Sequence, residues 1–176
     1  YPQKEPHENR YQISSSNLSI HRTVFDKIGL FSEIKNVWLE DVELSIRAQK
    51  NGFRIYFDPQ NPMAHHDRQT LEGFLHHHYR YGVYAPFVRT PDSGARFAWL
   101  IPQTPLRALL MIPILAILHT GFVIRNWLPA HPEILVYAPF VFVSKLAHAV
   151  GVYDGVKQKL IMEKEEVSDR DDNRLE

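Results

Sequence analysis

Seventeen consecutive uncharged and mostly apolar residues, 108–124, constrain the fold of this chain more than any other feature. As a helix they would extend about 26 Å, which is close to the thickness of the hydrocarbon core of a bilayer. Pro113 predicts a kink in this helix, and His119 and Thr120 add polar groups to it. The segment therefore has to lie in a membrane or be covered by other parts of the protein.

A second apolar stretch, residues 134–144, contains 11 uncharged residues before Lys145. Together with the residues up to 152 it could form a second span, with Lys145 extending its amino group to the membrane surface. Alone it is typical of a re-entrant or interfacial segment. Basic residues flank the outer ends of both stretches, which predicts a helical hairpin with both ends on the cytoplasmic side: Arg96, Arg107, Lys145, Lys157 and Lys159. A buried hairpin in a soluble protein is the alternative.

The composition excludes several classes of function for this chain of 176 residues. Its 20 basic and 20 acidic residues give no net charge, so nothing favours binding to nucleic acid. The absence of cysteine excludes disulfides and thiolate metal sites. We divide the chain into a mixed α/β segment, 1–95, a membrane-associated helical segment, 96–155, and a charged tail, 156–176, that we expect to be disordered.

The first segment alternates between helical and extended patterns. Residues 11–20 and 53–57 are typical of strands. Helices are predicted over residues 23–28, capped by Thr23, from Asp41 to the Asn51-Gly52 stop, and from the Thr70 cap to Gly82. This order predicts an α/β fold.

Two adjacent carboxylates, Glu40 and Asp41, stand where the second of these helices begins. They are either a solvated pair that complements the helix dipole or a catalytic base with its neighbour. Glu43 and Arg47 are spaced to form an ion pair on the same helix. Five histidines within residues 65–78 suggest a metal site, but His76, His77 and His78 are consecutive on a helix and must diverge.

The order of three stretches resembles the C-terminal half of a family 2 glycosyltransferase with the GT-A fold. They are SSSNLSIHRTVFDKIGLF, LEDVELSIRAQKNGFRIYFDP and MAHHDRQTLEGFLHHHYRYG, and the resemblance covers residues 12–84. The apolar stretch that ends in AVGVYDG is similar to the membrane-embedded tail of such enzymes. The resemblance implies a partial GT-A, Rossmann-like domain without its nucleotide-binding half, followed by an apolar helical hairpin.

The resemblance also assigns roles to particular residues. Asp41 corresponds to the catalytic base, and Glu40 would shape the acceptor site or hold Asp41 in place. Arg80 and Asn17 would contact the substrates, as would Glu43, which stands where relatives have a further acid. His65, or alternatively His66, would lie near the diphosphate of the donor or near its Mg2+ or Mn2+ ion.

The implied function is inverting transfer of a sugar from a nucleotide-sugar donor to the hydroxyl of a saccharide or lipid-linked acceptor, as in the synthesis of envelope polysaccharides. The catalytic part would lie on the cytoplasmic side of a membrane. No Asp-x-Asp motif stands in a suitable place, so we expect the fragment by itself to be inactive. The alternative is a non-catalytic, membrane-associated interaction module.

Overall fold

A computed structural model describes residues 7–8, 15–32, 39–64, 66, 68–95 and 97–172. Most of these residues are helical. The helices and strands are β1 (His7–Glu8), α1 (Arg22–Ile28), α2 (Glu40–Lys50), β2 (Tyr56–Phe57), α3 (Leu71–Val88), α4 (Pro105–Trp127) and α5 (Ala138–Asp172). Short 3-10 turns occur at Ser15–Asn17, Pro91–Ser93, Ala98–Leu100 and Pro132–Leu135.

The predicted α/β, Rossmann-like fold is wrong. Within the described ranges, the β-structure is a single antiparallel pair of two-residue strands, in which His7 faces Phe57 and Glu8 faces Tyr56. A Rossmann-like sheet needs several parallel strands joined by crossover helices, and two residues per strand cannot supply it. The described part of the protein is mostly helical instead.

The strand predictions failed for local reasons. Of residues 11–20, which we predicted as a strand, 11–14 lie outside the described residues, and Ser15–Asn17 form a 3-10 turn. Serine and asparagine side chains compete for backbone hydrogen bonds and so favour turns over extended structure. Of residues 53–57, only Tyr56–Phe57 pair with another strand.

The helix predictions were closer. Thr70 caps α3 as predicted, because its Oγ1 accepts a hydrogen bond of 3.1 Å from the Gly73 N–H. The helix does not end at Gly82 but continues through Pro86 to Val88. For α1, His21 rather than Thr23 is the N-cap, since its ring nitrogen accepts from the Thr23 N–H. At the other end of the chain, α5 continues through Asp172, into the charged tail.

Helices α3, α4 and α5 form the core, with α5 between the other two. The buried side chains that join them are small or aliphatic: Ala85, Ile101, Ala108, Leu115, Ala149, Val152 and Val156. On the side of α3, the contact is made by three glycines, Gly82 on α3 and Gly151 and Gly155 on α5, which we call the glycine seam. A Cβ at any of them would overlap a backbone carbonyl oxygen of the other helix. The two backbones are therefore in direct contact.

Within the described residues, α4 is the one helix that is long and apolar enough to cross a membrane. Only 17% of its most apolar window is buried. A core helix of a soluble protein would be covered by other elements, whereas the exposed face of α4 carries Leu106, Leu109, Leu110, Ile114, Ile117 and Leu118. The burial therefore favours lipid over a protein interior as the surroundings of this helix.

Candidate functional site

The predicted catalytic pair, Glu40 and Asp41, forms the first turn of α2. Asp41 is half-buried, and its Oδ1 accepts a 2.7 Å hydrogen bond from the Val42 N–H. Glu40 is exposed, and its Oε2 accepts a 3.1 Å bond from the Leu39 N–H. Each carboxylate therefore has one oxygen held by a backbone N–H at the helix start, which fixes its orientation.

Tyr81 of α3 lies within electrostatic range of this acid pair. Burial raises the pKa of the Tyr81 phenol, and the negative charge of Asp41 raises it further. Glu40 acts in the same direction, whereas the positive charge of Arg68 opposes both. These effects place two carboxylates and one guanidinium within electrostatic range of one phenol. The structure thus forms a mixed acidic and basic group, which we call the acid-tyrosine site: Glu40, Asp41, Arg68 and Tyr81.

Sequence reasoning missed Tyr81 and Arg68. Tyr81 is adjacent to Arg80 in the HYRYG stretch, and Arg68 precedes α3 in a region without periodicity. The helical period of α3 does place Tyr81 on the same face as His77, one turn earlier. The two rings are 4.5 Å apart between centroids. That period could not reveal which element packs against this face of the helix.

Glu43, which we predicted to bind substrate, forms an ion pair with Arg47. The guanidinium donates two hydrogen bonds to the carboxylate, of 2.8 and 2.9 Å. The same guanidinium donates to the carbonyl oxygens of Ile28 and Leu30, where α1 ends. Glu43 and Arg47 therefore join α2 to the end of α1, and the pairing raises the pKa of Arg47.

Asn17 lines a cleft of about 810 Å³ between the 3-10 turn of residues 15–17, α2 and the loop after β2. Its Nδ2 donates a 2.8 Å hydrogen bond to the carbonyl oxygen of Asn61 on the opposite side. Ser45 is buried in the floor of the cleft, and its Oγ donates a 2.7 Å bond to the carbonyl oxygen of Asp41. The cleft thus adjoins the first turn of α2, although the side chains of Glu40 and Asp41 do not line it.

Arg80 is half-buried on α3, beside Tyr81 in the sequence. Consecutive side chains leave a helix about 100° apart, so Arg80 points to a different side of α3 from Tyr81.

The histidine run diverges as predicted. The ring of His76 approaches Tyr79, that of His77 approaches Tyr81, and that of His78 lies 4.7 Å from the ring of Phe74. The candidate metal ligand His65 lies outside the described residues, and its alternative His66 is exposed. In the part of the chain that the structure describes, no group of three or more histidine, aspartate or glutamate side chains could hold a metal ion.

No protein-family model, curated protein or solved structure matches the chain. Any function assigned to it therefore depends on two features of the molecule: the geometry around α2 and α3, and the order of the three resembling sequence stretches.

Proposed function

We propose that this chain forms the acceptor side of a membrane-associated, inverting glycosyltransferase that uses a nucleotide-sugar donor. The observation that carries this function is the acid-tyrosine site, in which the charges of a half-buried carboxylate at a helix start and of a guanidinium both act on one phenol. Such a group can hold a hydroxyl, remove its proton and stand beside an anionic leaving group. The order of the resembling stretches supports the same reaction.

Asp41 acts as the general base. The acceptor hydroxyl approaches Asp41, and its proton passes to the carboxylate as its oxygen bonds to the anomeric carbon of the donor sugar. The bond from that carbon to the diphosphate breaks on the opposite face, and its electron pair leaves with the nucleoside diphosphate. Attack opposite to the leaving group inverts the configuration. The N–H of Val42 holds Asp41 in one orientation throughout.

Tyr81, Glu40 and Arg68 support this step. The raised pKa of Tyr81 keeps its phenol neutral, so that it can donate a hydrogen bond to the acceptor or to a carboxylate. Arg68 supplies a positive charge within electrostatic range of the Tyr81 phenol. The Mg2+ or Mn2+ ion implied by the resemblance would neutralise the leaving diphosphate, but the described side chains do not supply a ligand set for it. No step is therefore assigned to a metal.

The exposed apolar face of α4 supports a location at the membrane. Arg107 at the start of α4, and Lys157 and Lys159 on α5, lie at the ends that the positive-inside tendency places in the cytoplasm. Nucleotide sugars are cytoplasmic metabolites in most cells, so this orientation would give the acid-tyrosine site access to its donor.

The test is turnover of nucleotide sugars by the product of the complete reading frame, in membranes, with Mg2+ or Mn2+ added. Asp41→Asn should lower kcat by about 10²–10⁴-fold because the base is lost while its shape is kept. Asp26→Asn is the matched control, since Asp26 is an exposed acid on α1 away from the site. An Asp41→Asn enzyme with wild-type turnover would refute the role of the base.

A non-catalytic, membrane-associated module is the second candidate. The observation in its favour is that both carboxylates accept hydrogen bonds from backbone N–H groups at their own helix start, the ordinary role of such acids. This candidate predicts a folded, membrane-bound protein that turns over no nucleotide sugar. It also predicts that Asp41→Asn lowers stability, by about 1 kcal/mol, rather than any activity.

A further inference from the structure

The exposed apolar side chains of α4 lie along one face of the helix, which we call the apolar face. They recur every three or four residues, the spacing of a single stripe on an α-helix: Leu106, Leu109, Leu110, Ile114, Ile117 and Leu118. On the opposite face, Ala108, Leu115 and Ala116 are buried. Hydrocarbon can therefore contact α4 from one side only.

Helices α3, α4 and α5 lie side by side over much of their length. The ring of His148 on α5 is 5.4 Å from the ring of His119 on α4, between centroids. The carbonyl oxygen of the same His148 meets Gly82 on α3. Further along α5, the Lys159 amino group donates a 3.3 Å hydrogen bond to the carbonyl oxygen of Pro86 on α3. The orientation of α4 relative to a membrane therefore also sets the orientation of α3.

The two ends of α3 are joined by a charged segment that does not pass through the helix. Lys50, the last residue of α2, donates to the carbonyl oxygen of Asp92, just beyond the end of α3, and its side chain lies against Gly94. From Lys50 the chain continues to Thr70, which caps the start of α3. The 18 residues of α3 extend about 27 Å, close to the thickness of the hydrocarbon core.

A membrane-spanning α3 would therefore force this connecting segment through the bilayer too. Its composition does not allow that, because its backbone is irregular apart from two strand residues and it carries Arg54, Asp58 and Arg68. Both ends of α3 must lie on the same side of the membrane. Since α3 and α4 share an orientation, the two ends of α4 lie at a similar height as well.

An ion pair on α5 supports the same orientation. Asp154 and Lys157 are 4.0 Å apart, and 31% and 48% of their side-chain surfaces are exposed. Asp154 also accepts a 3.0 Å hydrogen bond from the Tyr79 hydroxyl of α3. If α4 were perpendicular to the bilayer, the contact of His119 with His148 would place this pair roughly 5–10 Å from the midplane. Exposed charges at that depth are costly.

Two arginines suit an orientation parallel to the membrane. Arg107 and Arg125 are both exposed, and they are separated by about five full turns of α4, so they lie along the same edge of the apolar face. Helix α4 contains no acidic residue. A helix with an apolar face and a basic edge fits the boundary between hydrocarbon and anionic head groups.

From these contacts we propose that α4 lies in the plane of the membrane, with its apolar face inserted about 5–10 Å into one leaflet of an anionic bilayer. Arg107 and Arg125 contact the phosphates of the head groups, and α2 and α3 stay on the same side of the bilayer as both ends of α4. The proposal rests on the membrane location proposed above, but it does not depend on glycosyl transfer.

The experiment measures the depth of spin labels by electron paramagnetic resonance, with the full chain bound to vesicles of phosphatidylcholine and phosphatidylglycerol. The chain contains no cysteine, so single-cysteine variants can be labelled directly. Leu106 and Ile117 lie on the same side of α4, about 16 Å apart along its axis, and Leu106→Cys and Ile117→Cys are therefore a matched pair. Relative accessibility to oxygen and to a water-soluble nickel chelate gives the depth of each label.

Both labels should lie at the same depth, about 5–10 Å, if α4 is in the plane of the membrane. A spanning helix would instead place the label at residue 117 about 16 Å deeper than the label at residue 106. Lys164→Cys is the control, since Lys164 is an exposed residue of α5 and its label should remain in water.

A second measurement uses the exposed His131, in the loop between α4 and α5. His131→Cys and Lys164→Cys are each added to sealed vesicles and treated with a membrane-impermeant maleimide. An in-plane α4 keeps both cysteines outside, so the two variants should be labelled to the same extent. A spanning hairpin would carry residue 131 into the vesicle and protect it.

Two results would overturn the in-plane orientation: a label at residue 117 near the bilayer centre with the label at residue 106 at the surface, or protection of His131→Cys alone. A chain that does not bind vesicles would refute the membrane location together with this inference. Equal depths combined with wild-type turnover in Asp41→Asn would support the orientation and refute only the catalytic role of Asp41.

Discussion

The glycine seam between α3 and α5 gives the sharpest test of the fold. A Cβ at Gly151 would overlap the carbonyl oxygen of Tyr79 and lie 3.0 Å from its carbonyl carbon and from the Val83 nitrogen. All three atoms belong to the backbone of α3, so no side-chain rotation can relieve the overlap. Gly151→Ala therefore requires the two helices to separate by roughly 1 Å, which opens the packing of Val152 and its neighbours.

The size of the effect follows from two opposing terms. Overpacking costs about 1–3 kcal/mol, and a clash with backbone belongs at the upper end of that range. Alanine is favoured over glycine inside a helix by about 1 kcal/mol. The net loss of stability for Gly151→Ala is therefore about 2 kcal/mol. Gly121, in α4, has no atom within 4 Å of its Cβ position. Gly121→Ala should therefore show only the higher helix propensity of alanine and raise the free energy of unfolding by about 1 kcal/mol.

Thermal unfolding in detergent, followed by circular dichroism, measures both variants. At about 2–4 °C per kcal/mol for a chain of this size, Gly151→Ala should lower Tm by roughly 4–8 °C and Gly121→Ala should raise it by roughly 2–4 °C. The comparison controls for the change in helix propensity, since both substitutions are glycine to alanine within a helix. Equal Tm values for the two variants would refute the close contact of α3 and α5.

Two further predictions concern stability. Arg47→Met should lower the free energy of unfolding by about 2 kcal/mol, because the charged hydrogen bonds to Glu43 and to the end of α1 are lost. Arg22→Met removes an exposed ion pair with a 4.0 Å separation and should lower it by less than about 0.5 kcal/mol. Urea unfolding measures both variants. His78 has a pKa lowered to about 4, so the unfolded chain binds its proton below about pH 6.5 while the folded chain does not. Stability should be complete above pH 6.5 and fall towards pH 4, by about 1 kcal/mol after solvent screening, and a His78→Gln variant with an unchanged pH dependence of Tm would contradict this.

Local signals in the sequence predicted the helices well. The Thr70 cap, the Asn51-Gly52 stop and the long apolar stretch each act through neighbours within a few residues, and α2, α3 and α4 lie where these signals place them. The sheet could not be predicted in the same way. A strand is stable only if a partner strand pairs with it, and Tyr56–Phe57 pair over only two residues. The alternation of residues 53–57 gave no information about the partner.

The candidate site, too, could be predicted from the sequence only where its residues are neighbours along the chain. The sequence identified Glu40 and Asp41 because adjacent acids at a helix start are visible locally. Tyr81 became a candidate only when the fold brought it within electrostatic range of a group that is distant in sequence, Asp41. The glycines Gly151 and Gly155 stood in the quoted AVGVYDG stretch, but Gly82, which packs against them, was predicted only as the end of a helix.

Helix α3 connects the proposed catalytic site to the packing of the helices. One of its sides lies against α5 through Gly82, while Tyr81, the preceding residue, lies within electrostatic range of the carboxylates of α2. A substitution in the glycine seam would therefore displace Tyr81 as well as destabilise the protein, and lost turnover in such a variant would not identify a catalytic group. Asp41 lies on α2, outside the seam, so Asp41→Asn removes a charge and leaves this contact intact. For that reason the chemistry has to be tested at Asp41 and the fold at the glycines.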